Sequence, residues 1–211
     1  MDINKIINKQ IFIKPKRSIR IKNNKILLFI IYDFLNNEEC DRLIKISDNN
    51  FSPSTTTNPL DINFRTSSTS FLENIKNKSD KEFINNINQK ICETMNIEDG
   101  YSETTQIQKY IPGQYFKPHY DGFHQNDYKK FCSTQGNRTW TFMVYLNNVD
   151  KGGQTKMSKI NQNSNPIRGK ALIWYNLNKN ASINKYTLHS GEPPIIGNKY
   201  ILNKWFRERK K

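Results

Sequence analysis

The chain has 211 residues, of which 35% are apolar and 12% aromatic, and its lysines and arginines outnumber its aspartates and glutamates by 33 − 19 = 14. These values exclude a disordered chain and fit a single domain with a hydrophobic core. A net charge of +14 would suit an acidic partner or nucleic acid. Because the lysines are scattered and accompany abundant Asn and Ile, we attribute the charge to composition and expect no nucleic-acid partner.

The sequence also argues against a membrane protein and against a disulfide-rich one. No apolar run reaches the roughly 18 residues of a membrane-spanning helix, and the longest, ILLFIIYDFL, is interrupted by Asp33. Cys40, Cys92 and Cys132 lie far apart without a CxxC motif, so they indicate neither a disulfide framework nor a zinc site. No signal peptide is recognisable, and both localisation and oligomeric state are left open.

The N-terminal half predicts an arm, a strand and two helices. Residues 1–24 are polar and basic, with weak β character at IFI and IRI that indicates an edge strand. Residues 25–35, KILLFIIYDFL, favour a buried strand. A helix follows with Asn36 as N-cap and Glu39 three positions later. Ser79 and Glu82 predict a capping box for a second helix, whose core positions recur at helical spacing: Phe83, Ile84, Ile87, Ile91 and Met95.

After residue 100 the pattern changes to short strands separated by Gly, Pro and Asn. The strand-like runs are TTQIQKYI, TWTFMVYL, ALIWYN and KYILNKWF. TWTFMVYL is apolar on both faces, which is typical of a strand buried on two sides. Helices first and strands later predict a barrel or two-sheet roll with helices against one sheet. We predict one domain over residues 25–211, with its catalytic half at about 100–207.

The segment FKPHYDGF, residues 116–123, contains a candidate metal-binding pair. On a strand, His119 and Asp121 point to the same side. Two histidines and one carboxylate are the usual ligands of non-haem Fe(II) oxygenases. The third ligand would be His124, in a polar loop, or His189, which follows a strand-like run and is the better candidate. An HxD pair alone also fits a histidine that is merely hydrogen-bonded to its neighbours.

Lys199 is a candidate partner for an anionic co-substrate. In GNKYILNKW, Lys199, Ile201 and Trp205 share one strand face with Asn203. A buried lysine is costly unless it is paired with an anion, and the distal carboxylate of a 2-oxo acid would supply one. The alternative is an edge-strand lysine that reaches solvent.

Seven motifs occur in one order between about residues 26 and 206. They are DFLNNEECDRLI, RTSSTSFL, YIPGQYFKPHYD, NRTWTFMVYLNNVDKGGQT, GKALIW, LHSGEPPIIGNKY and NKW. In this order the chain resembles the prolyl 4-hydroxylase family of Fe(II)/2-oxoglutarate dioxygenases. The resemblance implies an α+β, mainly β fold: a double-stranded β-helix (jelly-roll) core with N-terminal supporting helices. It implies Fe(2+), 2-oxoglutarate and O2 as cofactor and co-substrates, and L-ascorbate as the reductant that restores the iron.

The resemblance also assigns roles to single residues by motif match. His119, Asp121 and His189 would bind iron, and Lys199 would bind the distal carboxylate of 2-oxoglutarate. Other matched positions have roles at the co-substrate pocket or the peptide-binding mouth. Tyr110, Thr155 and, more weakly, Tyr145 would line the pocket; Arg138 and Trp205 would lie at the mouth; Arg65 would belong to a loop that closes over the substrate.

The implied substrate is a proline-rich or collagen-like peptide in the polyproline II conformation. Aromatic side chains could line its groove, namely Tyr115, Phe116, Tyr120, Phe123 and Trp205. Departures from the family pattern at Gln154, Lys156-Met157, Tyr200 and Trp140 bear on substrate preference more than on chemistry. Two alternatives stay open: an oxygenase directed at nucleic acid, and a jelly-roll binding module without activity.

Overall fold

Residues 13–55 and 63–211 are described in a computed structural model, and most of their regular structure is β-sheet. The helices are α1 (Asn37–Ser47), α2 (Lys78–Met95) and α3 (Gln125–Phe131). The strands of the first half are β1 (Ile19–Arg20), β2 (Leu28–Ile31), β3 (Ser52–Pro53), β4 (Ser68–Phe71), β5 (Gln106–Tyr110) and β6 (Phe116–His119). The later strands are β7 (Arg138–Tyr145), β8 (Lys151–Gly152), β9 (Thr155–Met157), β10 (Gln162–Ser164), β11 (Ala171–Tyr175), β12 (His189–Gly191), β13 (Pro194–Ile196) and β14 (Lys199–Arg207).

Two sheets carry the architecture. The large sheet has eight strands in the order β1-β2-β11-β7-β14-β5-β4-β3, and the small sheet has four in the order β10-β9-β12-β6. Strands β8 and β13 form a separate antiparallel pair. The mainly β class with few helices is confirmed, whereas the jelly-roll description stays a prediction.

The two faces of the large sheet are buried against different partners. Along β7, Trp140, Phe142 and Val144 face the helices and join the core formed by α1 and α2. The alternate residues Met143 and Tyr145 belong to a second core between the two sheets. This period-two alternation, with both faces buried, confirms the reading of TWTFMVYL as a strand covered on two sides.

The beginnings of the two long helices show one correct and one wrong prediction. Asn36 caps α1 as expected, because its side chain accepts from the Glu39 amide at 2.8 Å while the Glu39 carboxylate accepts from the Asn36 amide at 2.8 Å. The capping box predicted at Ser79 and Glu82 is wrong. Asn77 is the N-cap of α2, accepting from the Asp80 amide at 3.1 Å, so the helix begins earlier. Asn serves as well as Ser at this position.

Chain order is more mixed than the predicted helices followed by strands. Strands β2 to β4 come from the N-terminal half and join the large sheet, while α3 interrupts the strand-rich half. The IRI segment forms the edge strand β1, which pairs with β2, whereas most of IFI falls outside the described residues. Within the described ranges, no helix is long and apolar enough to cross a membrane. The proposed domain limits stay predictions.

Candidate active site

The small sheet brings three predicted ligands together. His119 at the end of β6 and His189 at the start of β12 are directly opposite each other in an antiparallel pair. Asp121 lies just past the end of β6, 3.7 Å from His119 Nε2 and 3.8 Å from His189 Nε2 through its two carboxylate oxygens. One donor atom from each residue lies within 4.8 Å of the others. His124 is exposed at the start of α3 and takes no part in this cluster.

Both histidines are oriented by their main chain. His119 Nδ1 lies 2.8 Å from the Lys117 carbonyl oxygen, and His189 Nδ1 lies 2.9 Å from that of Thr187. A protonated Nδ1 donating to a carbonyl leaves the Nε2 lone pair free for a metal. Burial and the neighbouring His189 lower the pKa of His119 to about 3, so its ring is neutral at physiological pH. Two imidazoles and a carboxylate that leave other positions open fit Fe(II).

The carboxylate of Asp121 is held by a chain of polar contacts from the large sheet. Thr141 Oγ1 on β7 donates to Asp121 Oδ2 at 2.6 Å, and Asn176 Nδ2 donates to Thr141 Oγ1 at 3.0 Å. Burial alone would raise the pKa of Asp121, but His189, His119 and then Arg138 lower it below its usual value. An ionised, fixed carboxylate is the form that binds a metal ion.

Lys199 is a fully buried cation at the inner end of the site. Its Nζ donates to the Gly153 carbonyl oxygen at 3.1 Å and lies 4.4 Å from the centre of the Tyr110 ring. Among the described residues, no carboxylate lies within ion-pair distance of Nζ. Burial lowers the pKa of Lys199 to about 7, with Glu192 offsetting only part of the effect. A carboxylate-bearing ligand would complete this environment.

Gly153 shapes the floor beneath Lys199. Its φ is +74°, a left-handed conformation that favours glycine, and a Cβ there would lie 3.3 Å from Lys199 Cδ. The carbonyl that holds Lys199 therefore depends on a glycine. This links the GGQT motif to the position of the cation.

An inner cavity connects the three ligands to Lys199. Tyr110 and Thr155 line it, with Gln108 and Asn203 as additional polar groups. Tyr145 stands behind the wall, where its hydroxyl lies 2.8 Å from Thr155 Oγ1 and 2.9 Å from the Ser164 carbonyl oxygen. The cavity holds about 30 Å³ in this structure, so a five-carbon dicarboxylate would enter only if side chains that line the cavity moved.

An outer groove of about 660 Å³ opens on the other side of the same ligands. Phe116, His119, Asp121 and Trp205 line both the groove and the inner cavity. Tyr120 and Phe123 also line the groove, as predicted for a peptide-binding surface, whereas Tyr115 is absent from its described lining. The groove and cavity thus meet at the candidate metal site.

Arg138 and Trp205 are stacked on the floor of the groove, with the Arg138 guanidinium 4.1 Å from the centre of the Trp205 ring. Glu103 holds Arg138 through two charge-assisted bonds of 2.6 Å and also accepts from Arg207 at 2.7 Å. Burial alone would raise the pKa of Glu103, but Arg138 and then Arg207 lower it.

Arg65 lines the same groove. Its guanidinium is 4.7 Å from the centre of the Phe116 ring. The loop containing it continues along β6, because Thr66 and Lys117 exchange main-chain bonds with Tyr115 and Phe64. Residues 56–62, which precede it in sequence, are outside the described ranges.

The sequence interpretation missed three polar residues of the site. Thr141 and Asn176 orient Asp121, and Glu103 fixes Arg138. Strand periodicity could have identified Thr141, since it shares a face of β7 with Met143 and Tyr145. No local pattern points to Glu103, whose partner is 35 residues away in sequence.

The chain is similar to known proteins both in sequence and in fold. A sequence profile of the 2OG-Fe(II) oxygenase superfamily matches residues 105–207. A protein of Acanthamoeba polyphaga mimivirus named as a prolyl 4-hydroxylase is 29% identical over 185 residues, covering 86% of this chain and 74% of the relative. An Arabidopsis thaliana protein named as prolyl 4-hydroxylase 6 is 30% identical, with 86% and 69% covered.

Among solved structures, the viral collagen prolyl hydroxylase of Paramecium bursaria Chlorella virus-1, in a 2OG complex, is similar with a TM-score of 0.66 and 27% identity. The match covers 85% of this chain and 95% of that one. The chain spans only 33% of the animal prolyl 4-hydroxylase alpha subunits that it also matches. With the mimivirus and plant relatives matched over most of their length, the chain belongs to the prolyl 4-hydroxylase family of 2-oxoglutarate- and Fe(II)-dependent dioxygenases.

Proposed function

We propose that this chain hydroxylates prolyl residues at C4 in proline-rich or collagen-like peptides, using Fe(II), 2-oxoglutarate and O2, with L-ascorbate maintaining the iron. The observation that carries the proposal is the convergence of His119, Asp121 and His189 at the junction of an inner cavity and an outer groove. One compartment suits a small dicarboxylate and the other an extended peptide. Membership of the family supports this reaction.

His119, Asp121 and His189 would hold the iron. The bound metal, with 2-oxoglutarate and O2, supplies the oxidising chemistry that converts the co-substrate to succinate and CO2 and places one oxygen atom on the peptide. The protein contributes ligands of fixed orientation. Thr141 and the carbonyls of Lys117 and Thr187 keep those ligands from rotating away.

Lys199 would bind the distal carboxylate of 2-oxoglutarate. A carboxylate placed beside its ammonium group would replace the missing counter-ion, since the described partners of Nζ are a carbonyl oxygen and the Tyr110 ring. The hydroxyls of Tyr110 and Thr155 line the same cavity and would donate further bonds. Tyr145 would act indirectly by orienting Thr155.

The outer groove would take the peptide in an extended conformation. A polyproline II segment is pre-ordered and offers main-chain carbonyl oxygens that have no internal partner. Trp205 Nε1 is a buried donor without a partner among the described residues, and it lies where the groove meets the inner cavity. Arg138, stacked on the Trp205 ring, would help fix the target prolyl residue near the iron.

The test is a panel of collagen-like, polyproline and unrelated peptides incubated with the iron-loaded protein, 2-oxoglutarate and ascorbate. We expect mass spectrometry to show a gain of one oxygen atom on proline, with succinate released in equal amount. His119→Ala should lose both products, and His124→Ala, which changes an exposed histidine outside the ligand cluster, should keep them. Absence of hydroxylation across the panel, with His119→Ala indistinguishable from wild type, would contradict the proposal.

A further inference from the structure

The charged side chains of the outer groove are unequally compensated. Arg138 is paired with both carboxylate oxygens of Glu103. Asp121 belongs to the candidate metal site. Arg65 and Asp127 remain, the first beside Phe116 and the second on α3. Among the described residues, Arg65 is therefore the groove cation without a carboxylate at ion-pair distance, although the carboxylate of Asp121 attracts it from farther away.

The contacts of Arg65 are all to neutral groups. Its Nε donates to Ser67 Oγ at 3.0 Å, Nη2 to Thr69 Oγ1 at 3.3 Å, and Nη1 to the Thr55 carbonyl oxygen at 3.4 Å. Within residues 13–55 and 63–211, no carboxylate lies within ion-pair distance of this guanidinium. Tyr110 is a further neutral neighbour of the guanidinium. Because a guanidinium has five N–H hydrogens, these contacts do not use all of them.

The environment of Arg65 favours the binding of an anionic ligand. Its guanidinium lies over the Phe116 ring, and its burial lowers the pKa of the group, although arginine stays protonated at physiological pH. A partly desolvated cation without a counter-ion is unfavourable, and a ligand carboxylate would form a bidentate, charge-assisted pair with it. A neutral peptide carbonyl would offset less of this cost.

The charge of the whole chain favours the same ligand. A net charge of +14 produces a positive potential that concentrates acidic peptides near the protein and repels basic ones. The effect on association falls as ionic strength rises. We attribute the many lysines to the overall composition of the chain, but the positive potential that they produce still acts on any peptide that approaches.

We infer that the peptide substrate carries an acidic side chain close to the target proline and that Arg65 binds this carboxylate. The inference rests on the proposed function, because it assumes that the outer groove takes the peptide. Arg65 would thus determine substrate specificity, while the candidate metal ligands and Lys199 carry out the chemistry. Asp127, which also lines the groove, would repel the acidic residue and so favour its position beside Arg65.

The inference is tested with three peptides that share the same proline tract. They differ only in the residue on each side of the tract, which is Glu, Gln or Lys. We expect kcat/KM for the Glu peptide to exceed that for the Gln peptide by about tenfold, and the Lys peptide to be poorest. Arg65→Gln should lower kcat/KM for the Glu peptide to the value for the Gln peptide without changing the KM for 2-oxoglutarate. Arg65→Lys, which keeps the charge but not the fork, should retain part of the preference.

Arg20→Gln is the matched control, because Arg20 lies on edge strand β1, at the opposite end of the large sheet from β3 and β4. Arg20→Gln removes one positive charge, as Arg65→Gln does, and should leave the order of kcat/KM among the three peptides unchanged. Equal kcat/KM for the Glu and Gln peptides would overturn the inference, as would an equal loss for all three peptides in Arg65→Gln. Raising the salt concentration should reduce the disadvantage of the Lys peptide.

Binding of labelled peptides, measured alongside turnover, separates the two proposals. Hydroxylation of all three peptides without a charge preference would contradict the acidic-substrate inference and leave the proposed function in place. Preferential binding of the Glu peptide through Arg65 without hydroxylation of any peptide would support the inference and contradict prolyl hydroxylation.

Discussion

The inner cavity and the outer groove share four lining residues but are built in different ways. The inner cavity is lined by strand residues whose side chains are almost fully buried, such as Lys199, Tyr110 and Thr155. Much of the groove comes from loops and the short helix α3, including Arg65 and Phe123. Rigid strands hold reacting groups accurately, whereas loops vary readily and carry specificity. Changes in the cavity should therefore affect the reaction, and changes in the groove the choice of peptide.

His189→Ala should produce the largest effect, because it removes one of three protein ligands from the candidate metal site. We expect loss of both peptide hydroxylation and 2-oxoglutarate decarboxylation, and weaker iron binding measured by titration. His124 provides the control because it lines the outer groove but is not in the ligand cluster, so His124→Ala should bind iron and decarboxylate 2-oxoglutarate normally. Full activity of His189→Ala would show that His189 is not needed as a metal ligand.

Lys199→Met should separate function from stability within the inner cavity. Removing one partner of a buried charge pair costs roughly 2–5 kcal/mol, so the KM for 2-oxoglutarate should rise by about thirtyfold or more. Without co-substrate, Met replaces a buried cation that has no carboxylate partner among the described residues, and the free energy of unfolding should increase by about 1–4 kcal/mol. Thermal denaturation of the ligand-free proteins checks the second effect, and a lower Tm for the variant would contradict it.

Thr141→Val tests whether the large sheet orients the carboxylate of Asp121. The substitution keeps the shape of the side chain but removes the 2.6 Å bond to Asp121. Partners of this kind are worth about 10- to 100-fold in metal affinity, so iron binding should weaken by that factor. Thr139→Val is the control, because Thr139 is on the same strand but donates to the Phe206 carbonyl oxygen.

The dependence on pH should also belong to the inner cavity. Below pH 7 Lys199 is charged in the ligand-free protein, and above it the proton is lost, because its pKa is lowered to about 7. The KM for 2-oxoglutarate should therefore rise above pH 7, by up to about tenfold per unit. Between pH 7 and 10.5 the unfolded chain binds the proton and the folded one does not, so this group's contribution to stability increases with pH.

Lys199→Arg is the comparison for the pH profile. Arginine stays protonated, so if this variant binds 2-oxoglutarate its KM should not rise in the same range. A rise of equal steepness in both proteins would assign the pH dependence to another group.

Phe123→Leu should have the smallest effect, and this effect should be limited to peptide binding in the outer groove. Phe123 stacks on Phe131 at 5.1 Å and lies outside the inner cavity. Loss of one aromatic contact is worth about 0.5–1.5 kcal/mol, so the KM for peptide should rise a few-fold while the KM for 2-oxoglutarate stays constant. Phe51→Leu removes a ring packed against Tyr200 instead and should leave both constants unchanged. A change in 2-oxoglutarate affinity in Phe123→Leu would erase the distinction between the compartments.

Regular patterns made much of the inner site predictable. Alternation on β14 indicated that Lys199, Ile201 and Trp205 share a face, and all three line the inner cavity. Spacing in FKPHYD indicated that His119 and Asp121 lie together, and the structure brings them within 3.7 Å. Their assigned roles stay proposals, because proximity alone does not establish metal or co-substrate binding.

What the sequence did not predict depends on contacts between distant segments or on local competition. Asn77 rather than Ser79 begins α2, because either side chain can cap a helix and the fold selects one. Helix α3 was missed because it has only seven residues, most of them polar, and shows little apolar periodicity. The pairing of Arg138 with Glu103, and the lack of an acidic partner for Arg65 among the described residues, arise only when the groove is assembled.

The position of the three candidate ligands across two sheets has a mechanical consequence. Both histidines belong to the small sheet, while Asp121 is tied to Thr141 on the large one. An ion bound by all three would brace one sheet against the other, and binding to the folded state alone raises its stability by mass action. Chelation should then lower the Tm, and cells short of iron would degrade this protein faster.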